Sequence, residues 1–213
     1  PRLRDFLLSA MVAGGLEVLD IGLVPTPVFY FSLFHLDRDG GMMITGSHNP
    51  PDFNGFKICV GKETLHGEAI QDLRIIAEEK RFVQGRGSII AREMIPEYQQ
   101  YLTRNIRLQR GIKLVLDSGN GTAGIVAPEI FRRLGCEVIE LYSEVDGHFP
   151  HHHPDPTLPE NMKDLIAKVR ECGAEVGIGY DGDADRIGVV DPLGNILWGD
   201  QLLILFSRDV LRA

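Results

Sequence analysis

The chain has 213 residues, 44% of them hydrophobic and 24% charged, the make-up of a globular protein rather than a disordered or fibrous one. Its formal net charge of −8 argues against a general nucleic-acid binder. No apolar run reaches the roughly 18 residues needed to span a bilayer, and no signal peptide is visible, so no membrane partner is expected. Cys59, Cys136 and Cys172 form no CxxC pair. An odd, sparse set of thiols points to an intracellular, cytoplasmic protein without a disulfide framework.

The predicted elements alternate between helix and strand. Leu3, Phe6, Leu7, Ala10 and Met11 share one helical face from the very start, and Gly14-Gly15 end it. An apolar face that early needs something to pack on, so the chain reads as part of a longer protein. A short strand follows at Glu17–Ile21, a helix at Thr26–Leu36, then strands at Gly41–Thr45 and Gly55–Val60. A helix at Ala69–Lys80 leads to a linker at Gln84–Ser88. A second series follows: helix Glu97–Ile106, strand Ile112–Leu116, helix Thr122–Leu134, strand Glu137–Leu141, helix Met162–Cys172 and strand Val176–Tyr180. Arg186–Val190 and Asn195–Trp198 form a hairpin around Pro192–Gly194, and a last amphipathic helix begins near Asp200. The alternation predicts two consecutive three-layer α/β/α domains with mixed sheets, residues 1–91 and 92–198, with 199–213 opening a third.

The densest chemical signal is Asp181-Gly182-Asp183-Ala184-Asp185-Arg186. Three carboxylates alternate directly after a strand, and a tight turn can aim them at one point. Mutual repulsion is most simply relieved by a hard divalent cation such as Mg²⁺. An EF-hand is excluded, because Arg186 and Pro192 stand where that loop needs Gly and Glu. A solvated acidic turn is the plainer alternative. Arg186 suits an anionic group such as phosphate.

The segment Thr45-Gly46-Ser47-His48-Asn49-Pro50 places a serine on a Gly-flanked turn after a strand, with a histidine beside it. Such a turn can expose a nucleophilic hydroxyl. Neighbouring Ser47 and His48 do not by themselves make a triad, and Asn49 breaks the G-x-S-x-G elbow. A plain turn former is the alternative. Lys57, ten residues beyond Ser47, is a candidate acid/base group or an exposed strand lysine.

Gly119-Asn120-Gly121-Thr122-Ala123-Gly124 is a literal G-x-G-x-x-G between a strand and a helix, with Glu140 about 20 residues on. A dinucleotide-binding module is therefore a competing function. The other reading is a tight strand-to-helix turn. His151-His152-His153 lie in a Pro-rich loop from which consecutive histidines do not readily converge on one ion, so a structural role is expected.

Taken together, these motifs resemble the α-D-phosphohexomutase family. The segments TGSHNP (45–50), DFNGFK (52–57), DSGNG (117–121), FPHHHPDP (149–156), PEN (159–161) and DGDADR (181–186) carry the resemblance, which covers essentially the whole chain. It implies a Mg²⁺-dependent phosphotransferase that interconverts hexose 1-phosphate and hexose 6-phosphate, of mannose or glucose, through a bisphosphorylated sugar. It further implies that Ser47 carries a phosphate, and that Ser47, Asp181, Asp183 and Asp185 bind the metal. Arg186 would contact phosphate, and Lys57, supported by His48, would serve the sugar hydroxyl. Family members have four domains. The G-E-M-S-G-H-like sugar loop and R-x-S-G-T-E-like phosphate loop of the last two are not found here, so on this reading the isolated chain is inactive.

Overall fold

A computed structural model describes residues 2–50 and 52–212. The chain divides into two compact units. The first comprises residues 1–24, 28–45 and 54–96; the second comprises 25–27, 46–53 and 97–213.

The first unit opens with α1 (Arg2–Ala13) and β1 (Glu17–Asp20), followed by α2 (Thr26–His35, grouped with this unit from Val28), β2 (Gly40–Thr45), β3 (Gly55–Val60), β4 (Glu63–Thr64), α3 (Glu68–Glu78) and β5 (Ser88–Ala91). β2, β3 and β4 form an antiparallel sheet, while among the described residues β1 and β5 form a separate two-stranded parallel sheet. Val28, Phe29 and Leu33 of α2 are buried. They sit so close to β2 that a Cβ on Gly41 would lie 2.8 Å from Leu33 and 2.9 Å from Phe29. Any larger residue at this position would require the Leu33 and Phe29 side chains to shift. The apolar residues Leu3, Leu7, Leu8 and Met11 of α1 line a cavity of about 1200 Å³ that is also bordered by β1 and β2. None of the α1 residues is fully buried, although their spacing predicts a packed face.

Two expectations change here. The segment expected as a linker, 84–88, runs into β5, and Gly85 and Gly87 donate to the carbonyls of Ala13 and Val12 at the end of α1. The short Ile89-Ile90 run, next to two glycines, gave no sequence periodicity to mark a strand. Its pairing with β1 is a long-range event.

The second unit contains α4 (Ile95–Asn105, grouped with this unit from Glu97), β6 (Lys113–Asp117), α5 (Ala127–Arg133), β7 (Glu137–Leu141), α6 (Lys163–Cys172), β8 (Val176–Tyr180), β9 (Ile187–Val190), β10 (Ile196–Leu197) and α7 (Gly199–Val210). Its mixed sheet has the order β10-β9-β8-β6-β7, with β6 parallel to both neighbours and β8-β9-β10 antiparallel. β6 is buried on both faces, as expected of a central parallel strand. Val115 packs with Leu165 and Val169 of α6, and with Met162. Leu114 and Leu116 pack on the other side with Ala127 and Cys136. Helices therefore cover both faces, which is the α/β/α layering expected from the alternation. Gly177 lets α6 approach β8, since a Cβ there would lie 2.6 Å from Val169 and 2.9 Å from Leu165. The single helix expected over 122–134 is interrupted. A short 3-10 turn at Thr122–Ile125 precedes α5, and a Cβ on Gly124 would lie 2.1 Å from the Ser143 carbonyl oxygen.

Cys59 and Cys136 are buried, Cys172 is half-buried, and all three are free thiols. Among the described residues no helix is long and apolar enough to cross a membrane.

Candidate functional site

The second unit gathers two loops that are far apart in sequence, 46–53 and 181–186. The chain leaves β2 at Thr45, and Ser47 follows in a left-handed conformation with φ of 51°. A non-glycine residue held there stores local strain, a feature that clusters at functional sites. Two turn hydrogen bonds, Asn49 N–H to the Gly46 carbonyl and Phe53 N–H to the Pro50 carbonyl, hold the loop.

The second loop starts where β8 ends. Asp181 and Asp183 are buried, whereas Asp185 is exposed, and one carboxylate oxygen from each lies within 4.8 Å of the others. Asp181 Oδ1 accepts the Asp185 and Arg186 backbone N–H groups at 3.0 and 3.1 Å, closing the turn. Burial and the neighbouring Asp183 charge push the Asp181 carboxyl up to about 6, despite those donors.

The loops meet at Ser47, whose Oγ–H donates to Asp181 Oδ2 at 2.9 Å across 134 residues of sequence. His48 Nδ1 lies 3.2 Å from the same Oγ, and its Nε2 lies 3.3 Å from Arg186 Nη1. Arginine can only donate. His48 Nε2 is therefore the acceptor, and Nδ1 carries the proton towards Ser47. The result is a directed chain: Arg186 to His48, His48 to Ser47, and Ser47 to Asp181. His48 thus orients the serine and does not remove its proton in this state, so the nearest group able to accept that proton is Asp181. Asp155 is nearby in electrostatic terms. Burial raises its carboxyl, but the Thr157 hydrogen bonds and the Arg186 charge outweigh this and hold it below its ordinary range.

Sequence reasoning missed Thr26. Its Oγ1–H donates to Asp183 Oδ2 at 2.9 Å, and its N–H donates to the Asp183 carbonyl at 2.8 Å, in a fully buried setting. Only the preceding Pro25, which predicts a turn, gave any local sign of it. Lys57 lies in the first unit, on β3 opposite Met43.

The Gly119–Gly124 turn leaves little room for a pyrophosphate. A Cβ on Gly119 would meet Pro154 and His152 at 3.1 and 3.2 Å, on Gly121 the Gly182 carbonyl oxygen at 2.7 Å, and on Gly124 the Ser143 carbonyl oxygen at 2.1 Å. These glycines pack against the protein itself. Of the three histidines, His151 stacks on Tyr142 with ring centroids 3.9 Å apart, and His152 faces Asp117. They do not converge.

The chain is similar in sequence and fold to known proteins. Residues 1–83 match phosphoglucomutase/phosphomannomutase α/β/α domain I, and residues 96–194 match α/β/α domain II. The chain is 49% identical over 211 residues to a phosphomannomutase/phosphoglucomutase of Pseudomonas aeruginosa, covering 99% of this chain and 46% of that protein. It is 46% identical over 213 residues to a phosphoglucomutase of Neisseria gonorrhoeae, with the same coverage. A crystal structure of a phosphoglucomutase/phosphomannomutase family protein from Burkholderia thailandensis superposes with a TM-score of 0.93 at 41% identity, covering 100% of this chain and 48% of that one. The chain therefore spans about half the length of the curated relatives it matches. With both α/β/α domains accounted for in order, the chain belongs to the phosphoglucomutase/phosphomannomutase family, within the α-D-phosphohexomutases.

Proposed function

We infer that this chain supplies the phosphoryl-transfer half of a hexose-phosphate mutase, with Ser47 as the residue that carries the phosphate. The observation behind this reading is the 2.9 Å contact between Ser47 Oγ and Asp181, inside a cluster of three carboxylates and beside Arg186. A nucleophilic hydroxyl needs exposure and a nearby proton acceptor. Ser47 is half-buried, and Asp181 stands within hydrogen-bond reach of its hydroxyl as that acceptor.

The carboxylate donor set fits a hard divalent cation of the Mg²⁺ class. All its atoms are oxygens, they converge, and two of the three residues are buried where unshielded charge is unfavourable. Asp181, Asp183 and Asp185, with an oxygen on phosphorylated Ser47, would hold it. Once bound, the cation would neutralise charge on the phosphoryl group in transit. Thr26 holds the Asp183 carboxylate in place from behind. Arg186 donates to phosphate oxygens, and His48 keeps the serine oxygen oriented. Lys57 is proposed to serve the sugar hydroxyl.

In the full reaction, phosphoserine 47 passes its phosphoryl group to the free 6-hydroxyl of a hexose 1-phosphate. The sugar hydroxyl gives its proton to a base as its oxygen bonds to phosphorus, the Ser47 Oγ–P bond breaks, and Ser47 Oγ takes up a proton. The sugar then carries two phosphates. Transfer of the 1-phosphate back to Ser47 leaves hexose 6-phosphate and restores the enzyme. The substrate is a phosphorylated hexose, of the glucose or mannose type.

The test is Ser47→Ala in the full-length protein. Phosphoryl transfer should be abolished, and the parent protein should carry one added phosphoryl group localised to Ser47 by ³¹P NMR and peptide mass analysis. Retained mutase activity in Ser47→Ala would overturn the reading. For the Gly119–Gly124 alternative, binding of NAD with protection of the amides in that turn is the corresponding result.

A further inference from the structure

We propose that His152, as an imidazolium paired with Asp117, is a positioning residue for the 181–186 loop. The proposal uses the preceding reading only for its catalytic consequence; the contacts themselves stand without it.

His152 lies in the Pro-rich loop between β7 and α6. Its Nε2 is 3.0 and 3.1 Å from the two carboxylate oxygens of Asp117, and its Nδ1 is 3.0 Å from the His153 carbonyl oxygen. An ionised carboxylate and a carbonyl are acceptors, so both ring nitrogens must carry protons. Asp117 is 2% exposed, at the buried end of β6, and also accepts the Gly119 N–H at 2.9 Å. Without a cation beside it, that carboxylate would be a buried, unpaired charge.

The charged groups facing His152 come from three places. Asp117 approaches from β6, Asp164 acts at longer range from α6, and Tyr142 stands edge-on after β7 with ring centroids 5.5 Å apart. Tyr142 donates to Asp164 Oδ2 at 2.8 Å, and this bond pushes its hydroxyl up to about 12, so it remains neutral. Burial disfavours the His152 charge, but the hydrogen bond and charge of Asp117 more than offset it, leaving the imidazole above its ordinary range. His151 secures the same turn from the side, with Nδ1 2.7 Å from Asn120 Oδ1.

The other end of the turn abuts the carboxylate loop. Thr122 N and Oγ1 both donate to the Gly182 carbonyl, at 3.0 and 3.2 Å. A Cβ on Gly121 would lie 2.7 Å from that carbonyl oxygen, and one on Gly182 would lie 2.3 Å from the Ser47 carbonyl oxygen. Backbone thus lies directly against backbone between Gly121 and Gly182 and between Gly182 and Ser47. A shift of the 117–122 turn passes directly to Gly182, and from there to Asp181, Asp183 and Ser47. Asp117–His152 anchors one end of that stack and the nucleophile stands at the other.

The sign of the pH effect follows. A histidine whose pKa is raised by folding contributes its full stabilisation below the unfolded value of about 6.5, and loses it as pH rises through the folded value.

The experiment uses the 213-residue chain. Nitrogen-15 NMR of His152 should show both ring nitrogens protonated at neutral pH, with a midpoint above that of an ordinary histidine. Asp117→Asn should lower the midpoint, because the hydrogen bond and charge of Asp117 are what raise it. In His152→Ala, exchange of the Thr122 amide should accelerate roughly tenfold, and Mn²⁺ should bind roughly tenfold more weakly. His152→Gln, which can still donate one bond to Asp117, should restore part of both effects. If His152→Ala does not fold, the His152→Gln exchange rates and the Asp117→Asn titration decide. A His152 that is neutral at neutral pH would overturn the proposal, as would Thr122 exchange unchanged in every His152 variant. A parent chain that binds no Mn²⁺ would overturn the metal-site reading alone, because the titration and exchange measurements still decide the clamp.

Discussion

Replacing Gly182 with Ala probes the contact between the serine loop and the carboxylate loop. Gly182 has no positive φ, so alanine fits its backbone conformation; the conflict is purely spatial. The new Cβ would lie 2.3 Å from the Ser47 carbonyl oxygen, where real Cβ contacts essentially never fall below 3.0 Å. The loops must therefore part by roughly 0.7 Å, a shift comparable to those that overpacking forces on a core. Gly182 cannot retreat freely, because its carbonyl is held from the other side by both donors of Thr122. The Ser47–Asp181 bond, 2.9 Å in the parent, would open to the limit of hydrogen-bond reach. Losing a hydrogen bond to a charged acceptor costs about 1.5–3 kcal/mol, and overpacking costs a similar amount when it is not relieved. A net loss of about 2 kcal/mol is expected. For a chain of this size that is a drop in Tm of roughly 4–8 °C, measured by circular dichroism. Mn²⁺ affinity, measured calorimetrically, should fall roughly tenfold as Asp181 is displaced. Gly147→Ala is the control. Nothing lies within 4 Å of a Cβ there, so its effect should stay within about 0.5 kcal/mol. A Gly182→Ala chain that melts and binds Mn²⁺ like the parent would refute the argument that these loops are in rigid backbone contact.

Asp183→Asn should remove a like charge from beside Asp181, lowering the Asp181 carboxyl from about 6 towards its ordinary value, while weakening Mn²⁺ binding at least roughly tenfold; carbon-13 carboxyl titration and calorimetry measure the two effects. In the parent chain, protons compete with the cation, so Mn²⁺ affinity should be flat above neutral pH and fall as pH drops through about 6. For the metal-free fold the sign is opposite. A carboxyl raised by folding destabilises most when ionised, so the Asp181 contribution improves as pH falls from above 6 towards 3.8, checked by urea denaturation across that window. Leu165→Ala, at a position with no solvent exposure between α6 and β6, should cost about 2–5 kcal/mol in the same assay.

Much of the fold was legible because helix and strand periods differ. The 3.6-residue spacing of Met162, Leu165, Ile166 and Val169 marks α6, and short apolar runs bounded by turn residues mark β6 and β8. Where the reading failed at β5, the determinant was remote. β5 exists because β1 offers it a parallel edge, which no local pattern in 88–91 announces. The helix expected over 122–134 is divided into a 3-10 turn and α5, whose first turn holds Pro128, a residue without the N–H that a continuous helix would need there. The candidate site shows the same division. The carboxylate loop and the serine turn stand out through their own chemistry, while Thr26 is an ordinary threonine until Asp183 is found beside it. The glycines of 119–124 illustrate the converse case. As a string they suggest a phosphate cradle, yet in space Gly119 is needed for its left-handed φ of 49°, and Gly121 and Gly124 because backbone carbonyls lie 2.7 and 2.1 Å from where a Cβ would be.

The sequence by itself determined which groups are available: a Gly-flanked serine turn, three alternating carboxylates, an adjacent arginine and the order of strands and helices that carries them. These are local properties, decided by residue type and by spacings of a few residues. Only the tertiary structure decided that residues 47 and 181 share a hydrogen bond, that Arg186 passes through His48 to reach the serine, and that a buried Asp117–His152 pair stands behind the loop. Those contacts close loops of tens to more than a hundred residues. Their entropic cost is met by the packing of whole helices against a sheet, which no short stretch of sequence contains.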